Sequence, residues 1–324
     1  MRALVLTHHQ SFDGLVLSEL AAPQPGAGQV SIDVEYAGVG LIDALWVNGA
    51  MPSGPGFVPG LEVSGTVRSL GEGVGNFDVG QQVAAILPAA GGFADVACAP
   101  AALVSPIPAG LGVDLAAVVS VNTVTAHLAL TTVARFSAGD SLLVHAGVGG
   151  LGSQFAQVAR ALGAGRVDAV VGTSAKQNIA RELGYDHSYL RSELESIPSS
   201  TYDIVVDPVG GAATEAGFRL LRGGGRLVRV GNASQAPDVA LSSMAHWIEN
   251  KTTAGFNVGA WLAEHPGQGT TSLKWALEAT AQGLIRVDLT RVGEVDQISD
   301  LLATLERGET TGKLAVRMGA TFKE

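Results

Sequence analysis

The sequence predicts an α/β protein in which a β-rich part is followed by a doubly wound parallel sheet. Short apolar runs separated by turn residues fill about the first 110 positions. From about Val121 onward, strands alternate with helices, a pattern typical of βαβ units. A glycine-rich turn, Gly147 to Gly152, joins the first of these strands to its helix. The 324 residues suffice for two domains of ordinary size.

The first part contains six predicted strands divided by turns at 23–26, 71–73 and 78–80, each of which contains glycine. The strands are Arg2 to Leu6, Leu15 to Leu17, Gln29 to Ala37, Val63 to Leu70, Gln82 to Leu87 and Phe93 to Ala97. Pro100 to Pro108 is a proline-punctuated connection, and helical spacing of apolar residues begins at Leu115. We expect an all-β domain here.

The second part alternates strands and helices. The predicted strands are Leu142 to Val144, Val167 to Val171, Ile204 to Val206, Arg226 to Val230 and Thr252 to Phe256, with helices from Ser153 onward, over Gln177 to Leu183 and over Ala213 to Leu220. Later elements are helices over Ser272 to Gln282 and Gln297 to Arg307 and a strand over Lys313 to Arg317. We predict residues 1–120 as the first part of a β-rich domain, 121–260 as the parallel-sheet domain and 261–324 as the return to the first domain. The active cleft is expected between the two domains.

The turn after Leu142 to Val144 matches the pattern Gly-x-Gly-x-x-Gly through Gly147, Gly149 and Gly152. The first glycine allows the turn, the second lets the backbone approach a pyrophosphate, and the third lets the helix pack on the strand. Gly150 and Leu151 complete the entry to the helix, whose amino terminus favours anions without any basic side chain. The strand, turn and helix context favours a dinucleotide site over a structural turn.

Charge and composition restrict the partners. Apolar residues make up 47% of the chain and charged residues only 15%, so a large core can form. Thirty acidic against twenty basic residues give a net charge of −10, and no run of Lys or Arg is present. This balance repels polyphosphate backbones and argues against a nucleic-acid partner.

Two apolar stretches bear on the compartment. Leu115 to Ala134 carries no charge but contains Ser120, Asn122, His127 and four threonines, which favours buried structure over a membrane span. The apolar run after Met1 is too short for a signal peptide, so we expect a cytoplasmic protein that does not bind membranes. Cys98 is the only cysteine, which excludes an intrachain disulfide and a zinc site built of cysteines.

Six segments together carry a resemblance to a known family. They are Pro59 to Gly65, Gly91 to Asp95, Thr123 to Ala126, Val144 to Gly152, Val206 to Gly211, and Gly312 with Lys313. On these motifs the chain resembles the zinc-independent branch of the medium-chain dehydrogenase/reductase superfamily, specifically the NADPH:quinone oxidoreductases. The resemblance implies a GroES-like β-rich catalytic domain, a Rossmann coenzyme domain and assembly as a homodimer or tetramer.

The departures from that family concern the metal. Zinc-dependent relatives carry a Cys where this chain has Gly40 and a His where it has Leu61, and their four-cysteine lobe has no counterpart here. The seven histidines show no ligand-like spacing, so we expect no metal site. Quinone reductases commonly have Asn at the place of Gly40, whereas the Asp three residues on is kept as Asp43.

The coenzyme is expected to be NADPH. NAD-binding folds of this kind carry an acidic residue about 20 positions after the glycines, to bind the ribose hydroxyl. The chain instead has Gly172, Thr173, Ser174, Ala175 and Lys176, whose hydroxyls and ammonium suit a 2′-phosphate. By resemblance, Tyr189 would join Lys176 around that phosphate. The alternative is that Lys176 is a solvated residue at a helix start.

The resemblance also implies the remaining site residues. The coenzyme would further contact Gly231, Asn232, Phe256, Asn257 and Lys313, and the catalytic candidates are Asp43, Asn122 and Thr125. The apolar residues Ile42, Trp46, Val47 and Met51 are expected to form a pocket for a flat hydrophobic substrate. Alternative interpretations stay open: Asp43 as a helix cap, Asn122 and Thr125 as structural polar groups, and Trp46, Met51 and Trp247 as core.

The absent ligand residues favour one class of acceptor. A simple ketone needs a Lewis acid or a placed proton donor, whereas a quinone or enone delocalises the developing charge. No Tyr-x-x-x-Lys pair or Ser, His and Asp arrangement is evident. We therefore predict hydride transfer from NADPH to a conjugated acceptor, best a small hydrophobic quinone. The alternatives are an enone, enoyl-thioester or carbonyl reductase and, in another class, a non-catalytic NADPH-binding protein.

Overall fold

A computed structural model describes residues 1–9 and 11–319 of the chain. The chain divides into two compact units, and each is continuous only in space. The first unit comprises residues 1–124 and 258–283 and the chain from Val287 onward, and the second comprises residues 125–257 and 284–286. The late return of the chain to the first unit explains why segments near both ends of the sequence share one sheet.

The first unit is built mainly of β-strands. Its elements before residue 125 are β1 Arg2–Leu6, β2 Leu15–Glu19, β3 Gln29–Val39, α1 Leu41–Val47, β4 Glu62–Leu70, β5 Gln82–Ile86, β6 Val96–Pro100, β7 Val104–Pro106 and α2 Val113–Leu128, the last of which continues beyond the unit boundary.

The elements of the second unit are β8 Ser141–His145, α3 Gly152–Ala161, β9 Arg166–Val171, α4 Ser174–Glu182, β10 His187–Leu190, β11 Tyr202–Asp207, α5 Ala212–Leu220, β12 Leu221–Arg229, α6 Ser243–Glu249 and β13 Thr252–Gly255. The returning elements are α7 Val258–Glu264, α8 Pro266–Ala281, β14 Leu289–Glu294, α9 Ile298–Glu306 and β15 Lys313–Arg317.

The main sheet of the first unit has seven strands, in the order β14-β15-β3-β4-β5-β7 with β6 also paired to β3. β15 joins it antiparallel to β3, with Leu314 opposite Val39. The core beneath the sheet takes alternate residues of β3, such as Val30 and Ile32, together with Leu314 and Val316 of β15. The predicted return of the last segment to the first part is therefore a pairing of strands.

The second unit is a six-stranded parallel sheet in the order β10-β9-β8-β11-β12-β13. The chain starts in the middle at β8, runs outward to β10 and then crosses back to β11. Between β8 and β11 the direction of winding reverses, and the loops that leave their carboxyl ends diverge there. This place is where open parallel sheets of this type bind ligands.

The predicted fold class is confirmed, and several predicted boundaries shift. Phe93 does not begin β6, because its backbone pairs with Leu4 and Pro59 rather than with β3. The predicted proline connection contains β7, and the helix predicted from Ser272 begins at Pro266. β10 was not predicted, because a polar edge strand of four residues has little apolar alternation. The sequence likewise did not predict α1, α6, α7 and β14, because each is short and shows little apolar periodicity.

One helix of the described residues is long and apolar enough to be tested as a membrane span. It covers Val113–Val133, that is α2 and the π-helical turn after it, with a mean hydropathy of 1.5. Two thirds of its most apolar window, 67%, is buried inside the protein. Such burial is what a core helix shows, in agreement with the sequence interpretation.

Candidate active site

The glycine-rich loop leaves the carboxyl end of β8 and enters α3 at Gly152. A Cβ on Gly152 would lie 2.3 Å from the carbonyl oxygen of Ala146, and a Cβ on Gly147 would lie 2.7 Å from the Cβ of Ala169. Both distances are far below van der Waals contact, so only glycine fits at these positions. The steric reasons for the first and third glycines of the motif are therefore visible in the packing.

Gly149 differs, since its Cβ would meet only the Ala146 carbonyl oxygen, at 3.3 Å. Gly149, Gly150 and Leu151 are partly exposed, and no side chain of the described residues caps the amino terminus of α3. The N–H groups of Ser153 and Gln154 donate to the carbonyl oxygens of Gly149 and Leu151, at 2.9 and 3.1 Å. A helix amino terminus with no side chain over it fits a pyrophosphate, which is attracted by the positive end of the helix dipole.

Tyr185 holds this loop from beneath, a role that the sequence did not reveal. Its buried hydroxyl lies 2.9 Å from the carbonyl oxygen of Gly147 and 2.8 Å from that of Gly152. Burial raises the pKa of the phenol, so the group stays a proton donor. The contact joins the first and last glycines of the motif and fixes the shape of the loop.

The carboxyl end of β9 carries the residues predicted to select the coenzyme. A cavity of about 690 Å³ is lined by Gly172, Thr173, Ser174, Leu190, Arg191 and Ser192. A guanidinium nitrogen of Arg191 lies 3.8 Å from the place of a Cβ on Gly172. The cavity thus combines two hydroxyls with a cation, which is the chemistry of a phosphate site. Sequence reasoning missed Arg191, which reaches this cavity through the pairing of β10 with β9.

Two other residues predicted for this phosphate lie differently. Lys176 lies in the first turn of α4 but does not line this cavity. Tyr189 packs with the core of the second unit, and its hydroxyl accepts a hydrogen bond from Arg166 at 3.3 Å. Arg166 begins β9, whereas Gly172 follows its end, so the Tyr189 hydroxyl points away from the cavity. The joint role of Lys176 and Tyr189 stays a prediction.

Further loops at the same edge of the parallel sheet carry the other predicted coenzyme residues. Asp207 ends β11 and accepts hydrogen bonds from the N–H groups of Val209 and Gly210 and from the Thr214 hydroxyl. Predicted residues that follow β12 and β13 are Gly231, Asn232, Phe256 and Asn257. The carboxyl ends of parallel strands meet at one edge, so the fold brings these four residues to the edge that holds the glycine-rich loop.

His145 lies at this edge but does not serve as an acid. Burial lowers the pKa of the imidazole to about 4. The negative charge of Asp207 raises the pKa in part, and the positive charge of Arg191 lowers it further. Its Nε2 atom is buried without a hydrogen-bond partner among the described residues. A neutral, enclosed imidazole of this kind is structural.

Asp43 lies in the first turn of α1 and is almost completely buried. Its two carboxyl oxygens accept hydrogen bonds from the N–H groups of Gly40, at 2.8 Å, and Gly60, at 2.9 Å. Burial raises its pKa to about 7, although these two bonds lower it in part. The helix-capping interpretation is therefore realised, and the same geometry makes Asp43 an acid that titrates near neutrality.

The residues predicted for the acceptor pocket lie on α1 and shortly after it, and they differ in exposure. Ile42, Trp46 and Met51 are half-buried, and the Trp46 ring stands edge-on to Phe57 with a centroid separation of 5.1 Å. Val47 is fully buried in the core of the first unit, so it offers no surface to a ligand. Trp247, for which the sequence leaves a core position open, is instead 74% exposed on α6.

Lys313, expected at the coenzyme, lies inside the first unit. Its ammonium is 2.6 Å from Glu62, and both side chains are buried. The second oxygen of Glu62 accepts the N–H of Val121 at 2.7 Å. Lys313 therefore acts as the partner of a buried carboxylate in this structure, because leaving Glu62 unpaired would be costly.

The remaining catalytic candidates, Asn122 and Thr125, lie on α2. They are three residues apart and share one face of the helix, Asn122 half-buried and Thr125 buried.

Gly40 and Leu61, which stand where zinc-dependent relatives have a Cys and a His, offer no ligand atom in their side chains. Within residues 1–9 and 11–319, no group of three His, Cys, Asp or Glu side chains could hold a metal ion.

Two family models match the chain in order. The alcohol dehydrogenase GroES-like domain matches residues 26–109, and the zinc-binding dehydrogenase model matches residues 150–278. The phthioceranic/hydroxyphthioceranic acid synthase of Mycobacterium tuberculosis is 31% identical over 342 aligned positions that cover 99% of this chain. The chain spans only 16% of the length of that synthase.

Solved structures share the whole arrangement of elements. Mycobacterial Rv1454c complexed with NADPH is 26% identical, with 98% of this chain and 99% of that chain covered and a TM-score of 0.87. The Escherichia coli quinone oxidoreductase complexed with NADPH is 22% identical, with 98% and 100% covered and a TM-score of 0.88, and it shows the fold alone. With both domain models matched and this fold shared, the chain belongs to the medium-chain dehydrogenase/reductase superfamily, as one of its oxidoreductases.

Proposed function

We propose that the protein is an NADPH-dependent oxidoreductase that reduces a conjugated acceptor, most favourably a quinone, without a metal. The observation that carries the coenzyme assignment is the pairing of an uncapped glycine-rich loop with the Arg191 cavity at one edge of a single parallel sheet. The first suits a pyrophosphate and the second suits the 2′-phosphate that distinguishes NADPH. The NADPH complex of mycobacterial Rv1454c, at 26% identity, supports the same coenzyme.

When bound, NADPH supplies a hydride to the acceptor. The chain's own residues bind and orient the coenzyme. The N–H groups at the start of α3 hold its pyrophosphate, while Thr173, Ser174 and Arg191 hold its 2′-phosphate. Gly231, Asn232, Phe256 and Asn257 are proposed to line the nicotinamide end, with Asn122 and Thr125 of α2. Binding at so many points along the coenzyme fixes its reactive ring against rotation.

The acceptor is argued from the chemistry of the residues at the zinc positions of relatives. Gly40 and Leu61 cannot polarise a carbonyl oxygen, so the acceptor itself must delocalise the negative charge it gains. Asp43 titrates near pH 7, but both of its oxygens already accept backbone hydrogen bonds. A quinone fits these conditions, because its reduced anion is stable without a strong acid beside it.

An enoyl-thioester reductase is the second candidate. The supporting observation is the 31% identity with a phthioceranic/hydroxyphthioceranic acid synthase, of whose length this chain spans 16%. An α,β-unsaturated thioester is also a conjugated acceptor, so it makes the same demands on the site. The two candidates share the coenzyme and differ only in the acceptor.

The deciding experiment follows NADPH consumption with 1,4-naphthoquinone and with crotonyl-CoA as alternative acceptors, at matched concentrations and with enzyme-free controls. A higher kcat/KM for the quinone supports the first candidate, and a higher value for the thioester supports the second. NADPH that binds but is consumed with neither acceptor would instead indicate a non-catalytic NADPH-binding protein.

We also propose that a second copy of the chain covers the open edge of β13. β13 ends the parallel sheet, and Thr252 to Gly255 carry no charge that would repel the same strand of a two-fold related copy. Beside it, α6 exposes Met244, Trp247 and Ile248, each more than half accessible. Sedimentation of the wild type as a dimer and of Trp247→Arg as a monomer would support this, and a wild-type monomer would refute it.

A further inference from the structure

His9 lies between two backbone carbonyls of the segment that follows α1. Its Nδ1 is 3.3 Å from the carbonyl oxygen of Val47, and its Nε2 is 3.3 Å from the carbonyl oxygen of Ser53. We call residues 48–56 the α1 loop. The turn at Gly49, with φ 84°, packs directly on the imidazole ring, since a Cβ there would lie 3.2 Å from it.

The two acceptors determine which form of the ring makes both bonds. A carbonyl oxygen only accepts hydrogen bonds, so each ring nitrogen must carry a proton to bond to it. Neutral imidazole carries one such proton and imidazolium carries two. Both contacts together therefore belong to the imidazolium, and its loss of a proton removes one of them.

Few ionisable groups lie on the elements that surround the ring. The α1 loop contains no ionisable side chain, and Asp43, the only one on α1, is bonded to Gly40 and Gly60. On α9, Glu306 accepts from the Asn48 amide at 2.7 Å, and Asp300 pairs with Arg291. The remaining ionisable neighbours in sequence are His8, whose ring is next to the Thr7 hydroxyl, and Asp13 in the turn 12–14.

The α1 loop is folded back onto the helix that carries the half-buried apolar residues. The Ser53 hydroxyl donates to the carbonyl oxygen of Trp46 at 2.8 Å, and the Met51 N–H donates to that of Leu45 at 2.9 Å. A shift of Ser53 therefore also disturbs Trp46 and Met51. The sequence predicts both residues for the pocket that receives the acceptor of the proposed function.

We propose that His9 is a positioning residue whose imidazolium fastens the α1 loop to the end of α1 and thereby shapes the acceptor surface formed by Trp46 and Met51. The part about the acceptor rests on the proposed function, whereas the fastening of the loop does not. Histidine is the side chain whose charge ordinarily changes between about pH 5 and 8. The loop is fastened by two bonds when the ring carries both protons and by one bond when it carries one.

Hydrogen exchange of the loop amides tests the fastening without any substrate. The N–H groups of Met51 and Gly56 donate to the carbonyls of Leu45 and Leu6, so their exchange reports opening of the loop. After correction for intrinsic exchange, we expect their exchange rates to rise about 3- to 10-fold between pH 5.5 and 8, the effect of losing one hydrogen bond. His9→Gln should remove this pH dependence, and His8→Gln, at the exposed neighbouring ring, should keep it.

A pH-independent exchange rate in the wild type, or an unchanged pH dependence in His9→Gln, would overturn the proposal. If His9→Gln fails to fold, NMR titration of the wild type decides: the Met51 amide shift must follow the titration of the His9 ring, and independence of the two would refute the proposal. In the enzyme, the KM for the quinone should rise over the same pH range while the KM for NADPH stays constant. A fastened loop without that KM change would contradict the proposed acceptor surface and leave the role of His9 in the loop standing.

Discussion

Replacing Gly149 with Ala should separate coenzyme binding from folding. The new Cβ would have one neighbour within 4 Å, the Ala146 carbonyl oxygen at 3.3 Å, and the backbone is not in the left-handed region. A shift of a few tenths of an ångström relieves that contact, and the smaller entropy of the unfolded chain offsets its cost by about 0.4 to 1 kcal/mol. The free energy of unfolding of Gly149→Ala should therefore stay within about 1 kcal/mol of the wild type.

The same methyl group should weaken NADPH binding strongly. The second glycine of such motifs lets the backbone approach the pyrophosphate, so a methyl group at Gly149 would take space where the pyrophosphate is proposed to bind. Loss of one charge-assisted hydrogen bond costs about 1.5 to 3 kcal/mol, which is roughly a 10- to 150-fold increase in Kd. The assay is a fluorescence titration with NADPH, paired with urea unfolding of the ligand-free protein.

Gly152→Ala is the matched control, because its Cβ would lie 2.3 Å from the same carbonyl oxygen. The overlap falls on backbone, so we expect a loss of stability of about 1 to 3 kcal/mol before any coenzyme is added. Normal NADPH binding by a folded Gly149→Ala would show that the pyrophosphate does not lie on this loop. Equal losses of stability in the two variants would refute the steric argument.

The other predictions concern coenzyme choice, metal and pH. Arg191→Met should weaken NADPH binding by about 1 to 3 kcal/mol and have little effect on NADH binding. Lys176→Ala should have the same two effects if the Lys176 ammonium reaches the 2′-phosphate. Equal losses of affinity for NADPH and NADH in calorimetric titrations would contradict this assignment. Dialysis against a chelator should leave activity unchanged, and elemental analysis showing about one zinc per chain that is lost together with activity would contradict the metal-free reaction. Asp43 has a folded pKa of about 7, above its unfolded value of 3.8, so the stability it contributes is complete below about pH 4 and is lost as pH rises toward 7, on the order of 4 kcal/mol. Asp43→Asn should flatten that slope in urea unfolding measured from pH 4 to 8, and an unchanged slope would assign it to another group.

The fold and the glycine-rich loop could be predicted because their causes are local. The steric requirement at Gly152 arises within a strand, a tight turn and a helix that are contiguous in sequence, and the requirement at Gly147 arises from Ala169 on β9, the next strand of the same βαβ unit. Repeated apolar runs likewise predict the parallel sheet, and the apolar Lys313–Arg317 run predicts β15 with its observed bounds. In these places short-range pattern and tertiary structure agree.

The rest of the site depends on contacts that no local pattern contains. Arg191 reaches Gly172 only because β10 pairs with β9, and Tyr185 reaches the glycine-rich loop from beyond α4. Lys313 pairs with Glu62 across 251 positions, so a resemblance in sequence alone could not separate a buried ion pair from a coenzyme contact. Polar strands at sheet edges, such as β10, lack the alternation by which strands are recognised.

The site is proposed to reduce acceptors that delocalise charge. The most direct test is the ratio of kcat/KM values, with NADPH in chelator-treated enzyme, for three six-membered rings: 1,4-benzoquinone, 2-cyclohexenone and cyclohexanone, each corrected for the enzyme-free rate. We predict the order quinone, enone, ketone, with the saturated ketone slower by several orders of magnitude, because a localised alkoxide finds no Lewis acid at Gly40 and Leu61. Efficient reduction of cyclohexanone beside an inert quinone would contradict it.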